Sequence, residues 1–206
     1  MQVIRDNQPS NSAKRSVVTI GAYDGVHRGH QAVIGQVRKE AQQLGCQSVV
    51  VTFDKHPASV VRPESAPKLL TDLDQKLELL QQTGIDATLI VEFNRERSTE
   101  DPALFVKRVL VDTLRAQVVV VGEDFHFGFN RGGNVAMLRE LGKQFDFQVE
   151  PVKLIARPDG VEEPVSSTSI RRALAGGQVE VANTLLGRPF EARGVVVTGD
   201  KRGRTL

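Results

Sequence analysis

Val17-Val18-Thr19-Ile20-Gly21-Ala22-Tyr23-Asp24-Gly25-Val26-His27-Arg28-Gly29-His30 is the stretch from which the fold is read. An apolar run of strand length ends at Gly21. Gly25 follows, then two histidines three residues apart, and a helical pattern opens in which Ala32, Val33, Val37, Ala41 and Leu44 share a face until Gly45 stops it. A buried strand that empties through a glycine turn into a helix is where α/β proteins hold phosphate. The first backbone N–H groups of the helix have no internal partner and carry partial positive charge. Imidazoles at that spacing point to one side of the first turn, so a phosphate held there is also acted upon. As a bare pattern, His-x-Gly-His fits a surface or a metal as readily as a phosphate. Its position after a strand and Gly21, with Asp24 before it, favours phosphate. Zinc fits less well, because no cysteine or third ligand clusters nearby.

Outward from this stretch, strand-length apolar runs alternate with helix-length amphipathic ones. Residues 48–53 read as the next strand, 54–68 as a proline-bearing loop, and a helix begins near Thr71 with Leu73, Leu77 and Leu80 inward and Thr71/Asp74 as a capping pair. Strands follow at 87–91 and 117–121, separated by a helix in which Pro102 is an early residue and which runs to about Leu114. The pattern then gives a helix over 134–145, a strand over 147–155, a turn at 157–160 and a helix starting at Ser167 or Thr168. Gly176-Gly177 ends that helix, and a short one covers 179–186. This β-α-β order predicts an α/β fold, a parallel sheet with helices on both faces and ligands at the carboxyl ends of its strands. Residues 189–197 look like a new strand, and 199–204 a glycine-rich basic loop.

Composition narrows the class. The 206 residues carry 27 basic and 25 acidic side chains, a net charge of +2, so no strong field steers the molecule to nucleic acid or anionic membrane. A single cysteine, Cys46, permits no internal disulfide and fits a reducing compartment. Residues 1–15 are polar, and apolar runs such as 118–121 are far too short to span a membrane. The expectation is a cytoplasmic chain of one domain, or one plus a fragment.

Three further loops carry candidate chemistry. Phe53-Asp54-Lys55-His56-Pro57 closes a strand, and there Phe53 and His56 can overhang the same edge as His27. Gly122-Glu123-Asp124-Phe125-His126-Phe127-Gly128-Phe129-Asn130-Arg131-Gly132-Gly133 crowds three phenylalanines and four glycines into twelve residues. Such an apolar loop either packs on a neighbouring helix or covers a planar ligand. Ser166-Ser167-Thr168-Ser169-Ile170-Arg171-Arg172 opens a helix. Capping alone accounts for its hydroxyls, while Arg171 lies where a guanidinium reaches an anion at the helix start.

Together these loops resemble the bacterial bifunctional riboflavin kinase/FAD synthetase family, specifically its N-terminal FMN adenylyltransferase module. The matching motifs are Gly21–His30, Thr52-Phe53-Asp54-Lys55-His56-Pro57, Gly122–Gly128 and Ser166–Arg171, in order over about residues 1–187. Tyr23 stands where phenylalanine is usual, and Ala22 where asparagine is common. The tail, from Gly187-Arg188-Pro189-Phe190 to Gly199-Asp200-Lys201-Arg202-Gly203-Arg204-Thr205-Leu206, looks like the opening of the family's kinase barrel. The expected domains are therefore 1–187 and a barrel stub at 188–206, with no kinase activity in this chain.

The resemblance implies a Rossmann-like nucleotidylyltransferase sheet and transfer of AMP from ATP to FMN, with magnesium as cofactor and ATP and FMN as partners. Residues implied for catalysis are His27, His30 and Arg171. For ATP they are Gly21, Tyr23, Asp24, Gly25, His27, His30, Gly122, Ser167, Thr168 and Arg171, and for FMN they are Phe53, His56, Pro57, Asp124, Phe127 and Gly128. No protein ligand for the metal is assigned, and the oligomeric state is open. Other readings are a nucleotidylyltransferase with another phosphorylated acceptor, or a flavin- or nucleotide-binding module without turnover. A class I aminoacyl-tRNA synthetase fragment shares the histidines, but no lysine-serine-lysine loop occurs late in the chain.

Overall fold

The computed structural model describes residues 1–6, 14–153 and 155–199. Strands β1 (Gln2–Arg5) and β2 (Ser16–Ile20) precede helix α1 (Arg28–Leu44), and β3 (Gln47–Phe53), α2 (Pro57–Val61) and α3 (Leu73–Gln82) follow. Next come β4 (Ala87–Val91), α4 (Pro102–Phe105), which runs on as a π-helix over Val106–Thr113, and β5 (Ala116–Gly122). A small ribbon of β6 (His126–Phe127) and β7 (Gly133–Asn134) leads to α5 (Val135–Phe145) and β8 (Gln148–Val152). The pair α6 (Ser167–Ala175) and α7 (Val179–Leu186) comes last.

Six strands pair in parallel in the order β1-β4-β3-β2-β5-β8. From the central β2 the chain builds outward to β3 and β4, then crosses back to β5 and β8 on the other side. The strand order therefore reverses between β2 and β5, which is where doubly wound sheets open a crevice for ligand.

Side-chain alternation along the strands makes two cores. Val17, Val50, Val118 and Val120 pack on Ile34, Val37 and Ala41 of α1 and Leu80 of α3. Their neighbours Val18, Val49, Val51, Val119 and Val121 turn the other way, onto Val109, Leu110, Leu138 and Leu141. Both faces are covered, which is why these strands read as unbroken valine runs. A third cluster joins α6 and α7 through Leu70, Val165, Ile170 and Leu186.

Several boundaries differ from expectation. Strand β1 escaped notice because only Ile4 of its four residues is buried. The 54–68 loop contains α2, capped by the His56 side chain with Pro57 in its first turn, and a 3-10 turn at Pro63–Ser65. Helix α3 is capped by Asp72 in a capping box with Gln75, not by Thr71, whose hydroxyl is engaged elsewhere. Helix α6 is capped by Ser166, again with a full capping box, rather than by Ser167 or Thr168. The strand expected over 189–197 does not form. Val195, Val196 and Val197 stand exposed, without a ladder partner among the described residues. The 199–204 loop lies, after Gly199, outside the described residues.

Candidate active site

After β2 the chain turns through Tyr23, Gly25 and Val26, all with positive φ, before α1 begins. Two non-glycine residues so close together in that region hold strain that surrounding contacts must over-determine. They do so here. The Asp24 carboxylate, 4 % exposed, accepts the N–H groups of Leu70 and Thr71 at 3.0 Å, the Thr71 hydroxyl at 3.2 Å and the Arg171 guanidinium at 2.5 Å. Gly25 N–H donates to Thr71 Oγ1, and the Tyr23 hydroxyl pairs with Thr19 Oγ1 at 2.7 Å. Burial raises the Tyr23 phenol well above its usual range. From behind, Arg188 Nη2 donates to Gly25 O at 2.8 Å, and Gln31 Nε2 donates to Val26 O at 2.9 Å.

The turn delivers His27 as the N-cap of α1, with Nδ1 accepting the His30 N–H at 3.3 Å. A neutral His27 therefore carries its proton on Nε2 and can donate from there. The two rings stack at 3.6 Å between centroids, 18° from parallel, and His30 is also tilted against Tyr23 at 4.7 Å. Burial drives the His27 pKa down to about 4, with Asp24 opposing and Arg171 and Arg188 assisting. His30 is held well below 6.5 by burial, then by His27 and Lys76. At neutral pH both rings are uncharged hydrogen-bonding groups. His30 is half-buried, but its Nδ1 is fully enclosed and has no partner among the described residues. Gly29 makes the stack possible, because a Cβ there would stand 3.1 Å from the His27 ring and 3.3 Å from Val165 O.

Other predicted residues converge on the same edge. Ser167 Oγ donates to Asp24 O at 2.9 Å, and Thr168 beside it is exposed. Arg171 donates through Nε to Lys68 O and through Nη2 to Asp24, so much of its charge is already matched. Thr52 Oγ1 ties β3 to Ala22 O, and Gly21 N–H bonds to Val51 O. His56 is half-buried, with Nδ1 accepting Ala58 N–H, and burial followed by Arg171 lowers its pKa. Phe53 meets Phe93 edge-on at 5.4 Å.

The β5 exit behaves differently. Gly122 ends β5, and Asp124 is exposed, its carbonyl bonded to the His126 ring. Phe127 is only 8 % exposed, packed with Phe125 at 5.5 Å and Phe105 at 6.2 Å. Gly128, at φ 72°, sits where a Cβ would lie 2.5 Å from Pro102. Much of this aromatic loop thus packs on α4, while Phe129 remains exposed.

Two contributors had no sequence signal. Neither Lys76 nor Arg188 was assigned a role from the sequence, yet Lys76 is buried and Arg188 reaches back to the turn before α1. A groove of about 340 Å³ between α1 and α3 lies behind that turn, away from the crevice at the switch point. Among the described residues no group of three or more His, Cys, Asp or Glu is placed to hold a metal, and both Asp24 oxygens are committed.

Fold and site define a class: a doubly wound parallel α/β protein with a His-x-Gly-His helix start at its switch point. The FAD synthetase family model matches residues 9–169. The chain belongs to the FAD synthetase family. It is 40% identical over 207 residues to the bifunctional riboflavin kinase/FMN adenylyltransferase of Pseudomonas fluorescens, covering 100% of this chain and 65% of that protein. The Listeria monocytogenes counterpart is 40% identical, over 92% of this chain and 59% of that protein, and that of Escherichia coli K12 is 36% identical, over 92% and 60%. The chain thus spans less than two thirds of the length of these relatives. A crystal structure of a macrolide-efflux protein from Streptococcus pneumoniae superposes with a TM-score of 0.81 at 27% identity, covering 100% of this chain and 66% of that one. No helix among the described residues is long and apolar enough to cross a membrane.

Proposed function

We propose that this chain is an FMN adenylyltransferase, transferring AMP from ATP to the phosphate of FMN. A phosphate oxygen of FMN attacks the α-phosphorus of ATP and forms the new O–P bond. The bond from that phosphorus to the bridging oxygen breaks, and pyrophosphate leaves with the electron pair, giving FAD. No protein nucleophile is needed, since the work is alignment and stabilisation of charge on the departing phosphates. The observation that carries this reading is the stacked His27–His30 pair at the start of α1, on the switch-point edge of a chain in the FAD synthetase family.

His27 donates from Nε2 to a phosphate oxygen, and His30 stands beside it as the second imidazole. The α1 and α6 N-termini, with Ser167, Thr168 and Arg171, receive the β- and γ-phosphates. Gly21, Tyr23, Asp24, Gly25 and Gly122 frame ATP, with Asp24 shaping the turn. Phe53, His56, Pro57, Asp124, Phe127 and Gly128 mark the flavin side, where exposed Phe129 adds aromatic surface. A divalent ion such as magnesium would be carried by the ATP phosphates and water rather than by a protein cage, and would offset the repulsion between the two polyanions. In this reading residues 1–187 are the transferase module, 188–206 open a second domain, and the chain works in the cytoplasm on ATP and FMN alone.

His30→Ala tests it. FAD formation should fall by about 10²–10³-fold, the cost of removing one transition-state donor, with circular dichroism unchanged. A rate within threefold of the unmodified chain would take His30 out of the chemistry.

A further inference from the structure

Lys76 rises from α3 into the floor of this edge, and it is 7 % exposed. Its Nζ donates to Phe53 O at 2.8 Å and to Ala22 O at 3.3 Å. Those carbonyls belong to the exits of β3 and β2, the strands that carry Phe53 and the histidine turn. A buried ammonium is costly unless it is matched by charge. Lys76 makes no ion pair with a carboxylate among the described residues. Its charge is met only by carbonyl dipoles and, at longer range, by Asp24 and Asp54. An incompletely compensated cation beneath a crevice that receives two polyanions has an evident use.

We infer that Lys76 is a positioning residue of the transfer reaction, pinning the β2 and β3 exits at one spacing and placing a positive charge under the polyphosphate. This rests on the adenylyltransferase reading for the identity of the anion. It follows from the surrounding charges. The two imidazoles of the pair are neutral at pH 7, and the Arg171 charge is matched by Asp24. Among the described residues Arg188 also lacks an ion pair but donates to the Gly25 and Val26 carbonyls behind the turn, which leaves Lys76 as the cation buried beneath the β2 and β3 exits.

The groups facing Lys76 are Asp24 from the turn, Asp54 from the β3 exit, His30 from α1 and His56 before α2. Burial lowers the Lys76 pKa to about 8 against the pull of Asp24 and Asp54. The lowered His30 and His56 imidazoles are neutral by pH 7, and the Tyr23 phenol is raised. A basic limb near pH 8 in kcat/KM therefore belongs to Lys76. Bound polyphosphate stabilises its charge, so the limb moves up in kcat.

The experiment follows FAD formation from pH 6 to 10 at several ATP concentrations. Lys76→Gln keeps N–H donors without charge, Lys76→Arg keeps the charge, and Lys143→Met on the exposed face of α5 is the control. Lys76→Gln should raise the ATP KM about tenfold and remove the basic limb. Lys76→Arg should restore the KM to within a few fold and move the limb beyond pH 10. A readout independent of turnover is the His56 imidazole followed by NMR. Burial and Arg171 do most of the lowering there, but the Lys76 charge adds to it, so the pKa should rise in Lys76→Gln and stay at its unmodified position in Lys76→Arg. An unchanged ATP KM and limb in Lys76→Gln would overturn the inference, as would a limb still near pH 8 in Lys76→Arg should the Gln variant not fold. If the unmodified chain makes no FAD but His56 shifts as expected, the adenylyltransferase reading fails while the placement of the charge stands.

Discussion

At His27 the backbone chooses the tautomer. Because Nδ1 accepts the His30 N–H, the neutral ring presents Nε2–H outward, and a pKa of about 4 keeps it neutral throughout the physiological range. The same shift couples folding to pH. An unfolded histidine binds its proton near pH 6.5, whereas folded His27 refuses it until about 4. Between those values the unfolded chain holds more protons, so stability falls as pH drops through the window and is unaffected above about 7. For His27 alone the loss approaches about 3 kcal/mol, and His30 and His56 act in the same direction. Urea midpoints at pH 7.5 and 4.5 should show the drop, and His27→Gln should show a smaller one. Equal drops in both proteins would mean that His27 is not the group responsible.

Gly128 shows how an element constrains a loop. Its φ of 72° and its approach to Pro102, 2.5 Å from a built Cβ, leave Gly128→Ala no relaxed position. The substitution should cost about 2 kcal/mol and lower Tm by several degrees in a chain of this size. No change in Tm would mean that the loop does not need its seat on α4. At this scale much was legible in the sequence. Apolar runs of strand length marked β2, β3, β4 and β5, with a glycine closing the first and the last of them, and the Gly45 and Gly176-Gly177 stops marked the ends of α1 and α6. What was not legible has physical causes. Edge strand β1 buries one side chain and so has no periodic signature. Asp72 took the α3 cap because Asp24 had already claimed Thr71, a contact across 47 residues that local pattern cannot register. Lys76 is buried because its ammonium reaches the Phe53 and Ala22 carbonyls, contacts across 23 and 54 residues that local pattern does not register. The histidine pair was legible because strand, glycine and helix stand consecutively in the chain, whereas the charges that tune it come from α3, α6 and the segment after α7.

Across the whole molecule, distant segments meet behind the His27 turn. Residues after α7 return along α3, where Arg193 pairs with Glu78 and Gln75 donates to Glu191 O, and Arg188 reaches Gly25 and Val26. On the other flank Arg108 bridges Asp6 beyond β1 to Glu100, joining the far edge of the sheet to the loop before α4. The carboxyl edge is thus braced from both sides, with the His27 turn at the β2/β5 reversal between the two braces. The most direct test of that account supplies the chain with magnesium and ATP labelled at the α-phosphate, together with FMN, riboflavin or another phosphorylated acceptor, and separates the products. The account predicts label in FAD, one pyrophosphate per FAD, and no labelled adduct on riboflavin, which lacks the attacking phosphate. Label passing to a different phosphorylated acceptor, with none in FAD, would contradict it.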